Sequence, residues 1–432
     1  MTMPDSYEKR NAMPTTDETT VTVGPSIFAK THAFMAPDAL YAEVYGAGLY
    51  PYFRPIERNE GTRAIINGKE VIMAGSNNYL GLTSDPRVKE AAAQAIQQYG
   101  TGCTGSRFLN GTLDIHLDLE ERLAKFMGKE ACVLFSTGYM TNMGVIQGIT
   151  SKNDLIFSDK DNHSCIVAGT QVSLADTWRY RHDDLNHLRR LLEKAATERP
   201  DAHKLIVTDG VFSMSGRIAQ VPELVEIAEE HDAALMLDDA HAVGVIGPGG
   251  RGSAAYFGLD DRVPLTTGTF SKSFASLGGF AVGERDVIEY TRHMALSHIF
   301  SASMPPSNVA TVLKCLAILQ EETWRLERLW EISNYMREGF RDAGFNVWTS
   351  QAPIIPVVIG TEMITAFQFW TDLLAEGIFV NPVVPWRGAV PHGRALMRTS
   401  YMATHTNDDL DFILDAFRRV GRKHGVLNNG SV

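Results

Sequence analysis

The chain predicts an α/β fold: a large domain on a mostly parallel sheet, then a smaller α+β C-terminal domain. Three observations carry this expectation. From about residue 131 to 285, short β-rich runs alternate with segments of helical period, the pattern of a sheet crossed by helices. Several runs, such as Leu235-Met236-Leu237, are apolar throughout instead of alternating, which suits strands covered on both faces. After Pro305-Pro306 a long helical stretch leads into a shorter mixture of strands and helices.

Taken in order, residues 1–40 carry Thr, Pro and Met without a sustained period and read as a flexible N-terminal tail. Residues 41–95 form an N-terminal segment. Order begins near the amphipathic stretch Asp38 to Tyr45, across its start, and continues through a β region, Thr62 to Met73, with a turn at Asn67-Gly68. The first strong helix spans Pro86 to Tyr99: Asp85 can cap it, Pro86 suits its first turn and Gly100 can end it. The large domain is expected over 96–316. Its strands are Ala131 to Ser136, Asp154 to Ser158, Thr177 to Arg181, Leu205 to Thr208, Ala233 to Leu237, Pro264 to Thr267 and Gly279 to Val282. Helices lie between most of them, such as Asp184 to Ala196 and Val221 to His231. A long helical region, Ser307 to Ala343, breaks near Glu321 to Trp324. The small domain, 317–432, holds a strand at Ile354 to Ile359, a helix at Ile364 to Glu376, strands near Phe379 and Met397, and a last helix from Asn407 to His424.

Composition narrows the function. Hydrophobic residues make up 44 % and charged residues 21 % of the 432, which excludes wholesale disorder. No apolar run approaches the ~18 residues a membrane span needs, and Met1 to Thr20 lacks the basic-then-apolar order of a signal peptide. Forty basic against 51 acidic residues give a net charge of −11, which argues against general binding of nucleic acid or anionic membranes. The four cysteines, Cys103, Cys132, Cys165 and Cys315, are far apart, so neither a zinc cluster nor a disulfide framework is expected. A soluble, cytoplasmic protein without a metal centre is the expectation.

The chemistry concentrates where strands end. Asp238 follows directly on Leu235-Met236-Leu237, and an acid at the end of a buried strand is costly unless it meets a cation or strong donors. About thirty residues on, a second strand runs into Thr269-Phe270-Ser271-Lys272-Ser273. A lysine at a strand end in a packed interior is a candidate Schiff-base former, because burial lowers its pKa and frees the amine. Pyridoxal phosphate (PLP) requires such a lysine, a carboxylate for its pyridine nitrogen and a phosphate cradle. Ser136-Thr137-Gly138-Tyr139 opens a helix whose free N–H groups favour an anion. Thr269 and Ser271 add hydroxyls, and the loop Asp161-Asn162-His163-Ser164 offers an imidazole that could lie over the ring.

These residues carry a resemblance. The sequence is similar to the α-oxoamine synthase family of fold-type I PLP-dependent transferases from about Gly46 to Val426. The runs that carry it are Ser76 to Leu82 (SNNYLGL), Gly100 to Thr112 (GTGCTGSRFLNGT), Asp161 to Ser164, Thr208 to Gly216 (TDGVFSMSG), Asp238 to Gly244 (DDAHAVG) and Gly268 to Lys272 (GTFSK). Gly48 to Ile56, Phe379 to Val384 and Met402 to Thr406 most resemble the bacterial branch that joins serine to palmitoyl-CoA.

The resemblance implies that Lys272 binds the cofactor and later removes the substrate Cα proton. It implies that Asp238 pairs with the pyridinium nitrogen, that His241 bonds the ring oxygen, and that His163 stacks on the cofactor and orients the substrate carboxylate. Gly138, Tyr139, Thr269 and Ser271 would hold the phosphate, with Ser301 or Ser303 supplied by a second subunit. Ser213 would sit beside the ring, and Arg398 would meet the substrate carboxylate, assisted by Asn77 or Asn78. The implied reaction is a decarboxylating Claisen condensation of an amino acid with an acyl-CoA in a homodimer with shared sites. A glycine- or alanine-using relative, or one using another thioester, is the alternative within the family. The loop Pro385 to Gly393 is longer than the compact loop found near the acyl-CoA entrance of relatives.

Other readings weigh less. Lys272 taken alone would be a surface lysine, Asp238 a cap, His163 a solvated turn residue and Arg398 a surface ion-pair partner. Gly100, Gly102 and Gly105 match the dinucleotide pattern G-x-G-x-x-G, but a helix precedes them where a strand is required, which weakens an NAD-linked oxidoreductase. A catalytically silent partner subunit would be favoured by loss of the lysine, and Lys272 is present together with Asp238 and His241.

Overall fold

The apolar runs that do not alternate become strands buried along their whole length. Ala131–Phe135, Leu155–Asp159, Leu265–Thr269 and Gly279–Gly283 bury every residue, because helices cover both faces of their sheet. The computed structural model describes residues 26–385 and 393–427.

Seven strands form the central sheet in the order Ala131–Phe135, Gly279–Gly283, Leu265–Thr269, Ala233–Asp238, Lys204–Asp209, Leu155–Asp159, Asp176–Tyr180. From Leu265–Thr269 to Asp176–Tyr180 all neighbours pair in parallel. Gly279–Gly283 runs antiparallel to both its neighbours. The carboxyl ends of the parallel strands therefore share one edge, where open α/β sheets place their ligands.

The helix Pro86–Tyr99 starts and stops as its sequence dictates. Asp85 accepts from Arg87 N at 2.9 Å, and Gly100 closes the helix at φ 84°, a conformation that favours glycine. The break in the long helical region is equally local: Pro306–Glu321 ends at Glu322, and Trp324–Asp342 begins after Thr323.

Three features depart from the linear reading. Residues Ala29–Met35 within the expected tail form a short helix with no buried residue, too short to show a period; residues 1–25 lie outside the described residues. A boundary at 316/317 cuts the helix Pro306–Glu321, whose Val309, Val312, Cys315 and Leu319 pack in one core with Val88, Leu123, Phe270 and Phe280 of the large domain. The hairpin Arg63–Ile66 and Lys69–Met73 extends into the C-terminal unit, since Lys69–Met73 pairs in parallel with Ile378–Phe379. Strands join where register and apolar faces match, irrespective of chain order. The C-terminal unit has its own three-stranded sheet, in which Ala395–Ser400 lies between Ile354–Gly360 and Asn381–Val383. Residues 386–392 of the long loop lie outside the described residues.

Candidate active site

At the shared strand edge the structure forms a cleft of about 280 Å³. Lys272, Asp238, His241, His163, Gly138, Tyr139, Ser213, Thr269 and Ser271 all line it.

Asp238 ends the strand Ala233–Asp238 and is 2 % exposed. A buried carboxylate needs donors, and it has them: Asn142 Nδ2 donates to Oδ2 at 2.7 Å and Ala240 N to Oδ1 at 3.0 Å. Asn142 is itself oriented by the Thr267 hydroxyl, which donates to its Oδ1 at 2.9 Å.

Lys272 follows the strand Leu265–Thr269, which lies beside Ala233–Asp238. Burial pushes its ammonium down to about 8, the nearby Arg398 charge adding to the shift and Asp238 opposing it. The amine is thus poised to act as a nucleophile near neutral pH.

One end of the cleft lies at the start of the helix Gly138–Ile149. Its cap, Thr137, accepts from Met140 N at 3.0 Å, while the N–H groups of Gly138 and Tyr139 precede the first intrahelical bond. A Cβ on Gly138 would stand 2.6 Å from Thr269 Cβ, so only glycine lets helix and strand approach this closely. The Thr269 and Ser271 hydroxyls lie 2.9 Å apart at the same end.

His163 caps the helix Ser164–Val172. Its Nδ1 accepts from Cys165 N at 3.2 Å and lies 2.8 Å from Cys165 Sγ, which leaves the ring proton on Nε2. Burial and the Lys272 charge hold its pKa below the usual range, with Asp238 opposing. His241 is depressed well below the usual range by burial first, then by Lys272 and Arg398, so its ring is neutral.

Arg398 comes from the C-terminal unit, on the strand Ala395–Ser400, and is 4 % exposed. Its Nε donates to Ser213 O at 2.7 Å and its Nη2 to Asn77 Oδ1 at 3.0 Å. Asn77 thus braces Arg398. Asn78 is a correction: its Oδ1 accepts from Leu82 N at 3.0 Å and its Nδ2 donates to Thr83 Oγ1 at 2.8 Å, so the amide is taken up in closing its own turn. Ser301 and Ser303 do not line the cleft of their own chain; Ser303 Oγ donates to Gly105 O at 3.1 Å.

Four cleft-side residues escape the sequence reading. Asn142 and Cys165 sit on helices, where no strand-end signal marks them. Asp209 ends the apolar run Leu205 to Thr208 and carries the same signal as Asp238. Tyr79, fully buried, shares a hydrogen bond of 2.8 Å with His241 Nδ1, and the charge and hydrogen bond of Arg398 act on its hydroxyl. Tyr79→Phe leaves the buried His241 nitrogen without its partner and is expected to cost about 1–3 kcal/mol of stability, measurable as a lowered urea midpoint with an unchanged slope.

Comparison with known proteins agrees with this geometry. Residues 69–417 match the family Aminotransferase class I and II. A serine palmitoyltransferase of Sphingobacterium spiritivorum is 49 % identical over 88 % of this chain and 93 % of its own length. An 8-amino-7-oxononanoate synthase of Symbiobacterium thermophilum is 42 % identical over 90 % of this chain and 99 % of its own. Among solved structures, a serine palmitoyltransferase from S. paucimobilis with a bound PLP–myriocin aldimine superposes with TM-score 0.88 at 34 % identity, covering 93 % of this chain and 100 % of that one. The chain belongs to the aminotransferase class I and II family of fold-type I PLP-dependent transferases. Within it the chain is an α-oxoamine synthase of the serine palmitoyltransferase kind.

Proposed function

We propose that the protein condenses L-serine with palmitoyl-CoA, releasing CoA and CO2 and forming 3-ketodihydrosphingosine. The observation that carries the reading is the convergence of Lys272, Asp238, His241 and His163 on one cleft in a chain 49 % identical to a serine palmitoyltransferase.

The residues fit PLP. The glycine-only approach of Gly138 to Thr269 leaves an anion cradle at a helix N-terminus, and the buried, doubly hydrogen-bonded Asp238 carboxylate suits a protonated ring nitrogen. When bound, PLP supplies an electron sink for negative charge on the amino acid's Cα. In this reading Lys272 Nζ would hold the cofactor and would take up and return the proton at the amino acid's Cα. Asp238 would hold the ring nitrogen charged, and neutral His241 would hold the ring oxygen. Ser213 would sit beside the ring, while Tyr139, Ser271 and Thr269 would complete the phosphate end. His163 would cover the ring and offer its Nε2–H to the substrate carboxylate, whose charge Arg398, braced by Asn77, would meet. The overall reaction joins Cα to the acyl carbon, expels the CoA thiolate and loses the amino acid's carboxylate as CO2.

The depressed Lys272 pKa sets a pH dependence. Below about 8 most of the amine is protonated, and the protonated fraction cannot attack an aldehyde. Capture of PLP by cofactor-free protein, followed by absorbance, is therefore expected to speed up as pH rises through about 8 and then level off.

The reading extends to a cytoplasmic homodimer. Among the described residues no helix is long and apolar enough to cross a membrane. Tyr139 and Leu277 at the cleft, with Phe108, Leu109 and Phe300, are exposed large apolar groups suited to cover by a second copy. That copy would bring its Ser301 or Ser303 toward the phosphate.

The test is thiol release from palmitoyl-CoA by PLP-loaded protein with L-serine, glycine, L-alanine and L-threonine in turn. Release with serine well above the others is the expected result. Release only with glycine or alanine would replace the substrate, and release with none would overturn the acyl donor.

A further inference from the structure

Beside Asp238 the sheet presents a second strand-end carboxyl that the proposed chemistry does not use. Asp209 is 6 % exposed, lines the cleft and stands in register with Asp238 on the neighbouring parallel strand. Adjacent strands lie ~4.8 Å apart, so the two carboxyl groups sit side by side.

The contacts of Asp209 point to His163. The Asp209 Oδ2 accepts from His163 N at 2.8 Å, and Asp209 N donates to Asn162 Oδ1 at 3.1 Å. Asn162 Nδ2 donates to Val207 O at 2.8 Å. The Asn162–His163 turn is thus laced to the end of the strand Lys204–Asp209 from both sides, with Asp209 contributing the side chain on the strand's part. Cys165 N in turn donates to His163 Nδ1 at 3.2 Å.

The charge state follows from the neighbours. Two carboxylates in one buried place do not both ionise. Asp238 holds donors from Asn142 and Ala240, whereas Asp209 receives one backbone N–H, and no ion pair reaches it among the described residues. The titratable groups around it are Asp238 and Asp159 on the flanking strands, Lys272 from the following loop, His163 and Cys165 from the turn and its helix, and Tyr180 beyond Asp159. Burial and the Asp238 charge push Asp209 well above the usual carboxylate range.

We propose that Asp209 is a positioning residue that acts through His163: as a neutral acid it anchors the Asn162–His163 turn and so fixes the imidazole over the cleft. The inference rests on the proposed role of His163. With Asp209 neutral, the cleft floor carries one negative charge, at Asp238, where a ring nitrogen would meet it.

The test compares Asp209→Ala with the isosteric Asp209→Asn. In cofactor-free protein, exchange of the His163 amide hydrogen should accelerate about tenfold in D209A and return toward the native rate in D209N. In loaded protein, kcat should fall about 100-fold in D209A with little change in KM, the cost of a misplaced group. D209N should recover most of that loss and keep the native pH profile. Difference infrared spectra of D209N against native protein should show loss of a protonated-acid carbonyl band. An unaltered His163 exchange rate in D209A, or D209N as damaged as D209A, would overturn the anchoring role; loss of a carboxylate band instead would overturn the neutral state. If D209A does not fold, the D209N exchange rate and infrared bands decide alone. Native protein that makes no ketone product would sink the proposed function, while exchange and infrared would still judge Asp209.

Discussion

Lys272→Ala is expected to abolish turnover while leaving the protein folded. The side chain lies in the cleft and makes no hydrogen bond that holds the fold together among the described residues, so its loss costs the chemistry far more than the structure. Two functions disappear together. The amine that attaches the cofactor is gone, and so is the base that takes the Cα proton, a role worth about 10²–10⁴-fold. A fall in kcat of at least about 10³-fold is the consequence. Borohydride reduction of loaded native protein should yield a cofactor adduct on the peptide containing Lys272, found by mass spectrometry, and the variant should lack it. An adduct on another lysine, or substantial turnover without Lys272, would sink the assignment.

Asp238→Asn is expected to be the next most damaging change. The substitution preserves shape but reverses the chemistry at Oδ2, where Asn142 Nδ2 donates at 2.7 Å. Two amide donors would then face each other, or the introduced amide would flip and turn its NH2 toward Ala240 N instead. More important, the neutral amide no longer favours a charged ring nitrogen, so negative charge on Cα loses its sink. Removing a preorganised electrostatic partner of this kind costs about 10²–10³-fold in kcat. The KM for serine should change little, because Asp238 does not touch the substrate carboxylate in this arrangement. A variant with native kcat would contradict the role of Asp238.

Much of this site is legible in the sequence because parallel sheets have a simple grammar. A buried strand is an apolar run, and a polar residue at its carboxyl end points into the ligand crevice. Asp238 and Lys272 are readable on those terms, and Asp209 obeys the same rule although only its motif stands out in the sequence. Side chains that act from helices are harder to find. Asn142 lies one turn after Gly138 in its helix, and only the contact of that amide with Asp238 gives it a purpose. Tyr79 and Arg398 are more than 300 residues apart in the chain yet share one buried network with His241, a contact no periodicity encodes. Asn78 fails in the opposite direction: its neighbour braces Arg398, while its own amide closes a local turn. Domain limits are hidden for a related reason. The break between Pro306–Glu321 and Trp324–Asp342 is readable in the sequence, but not that the apolar face of the first helix belongs to the core around Phe270.

Carboxyl-labelled L-serine offered with palmitoyl-CoA to the PLP-loaded protein tests the central claim most directly. The geometry of Lys272, Asp238 and Arg398 predicts one labelled CO2 for each CoA released, with a long-chain 2-amino ketone free of label. CoA release with the label retained in the product would mean simple acylation of serine, and would contradict a decarboxylating condensation at this site.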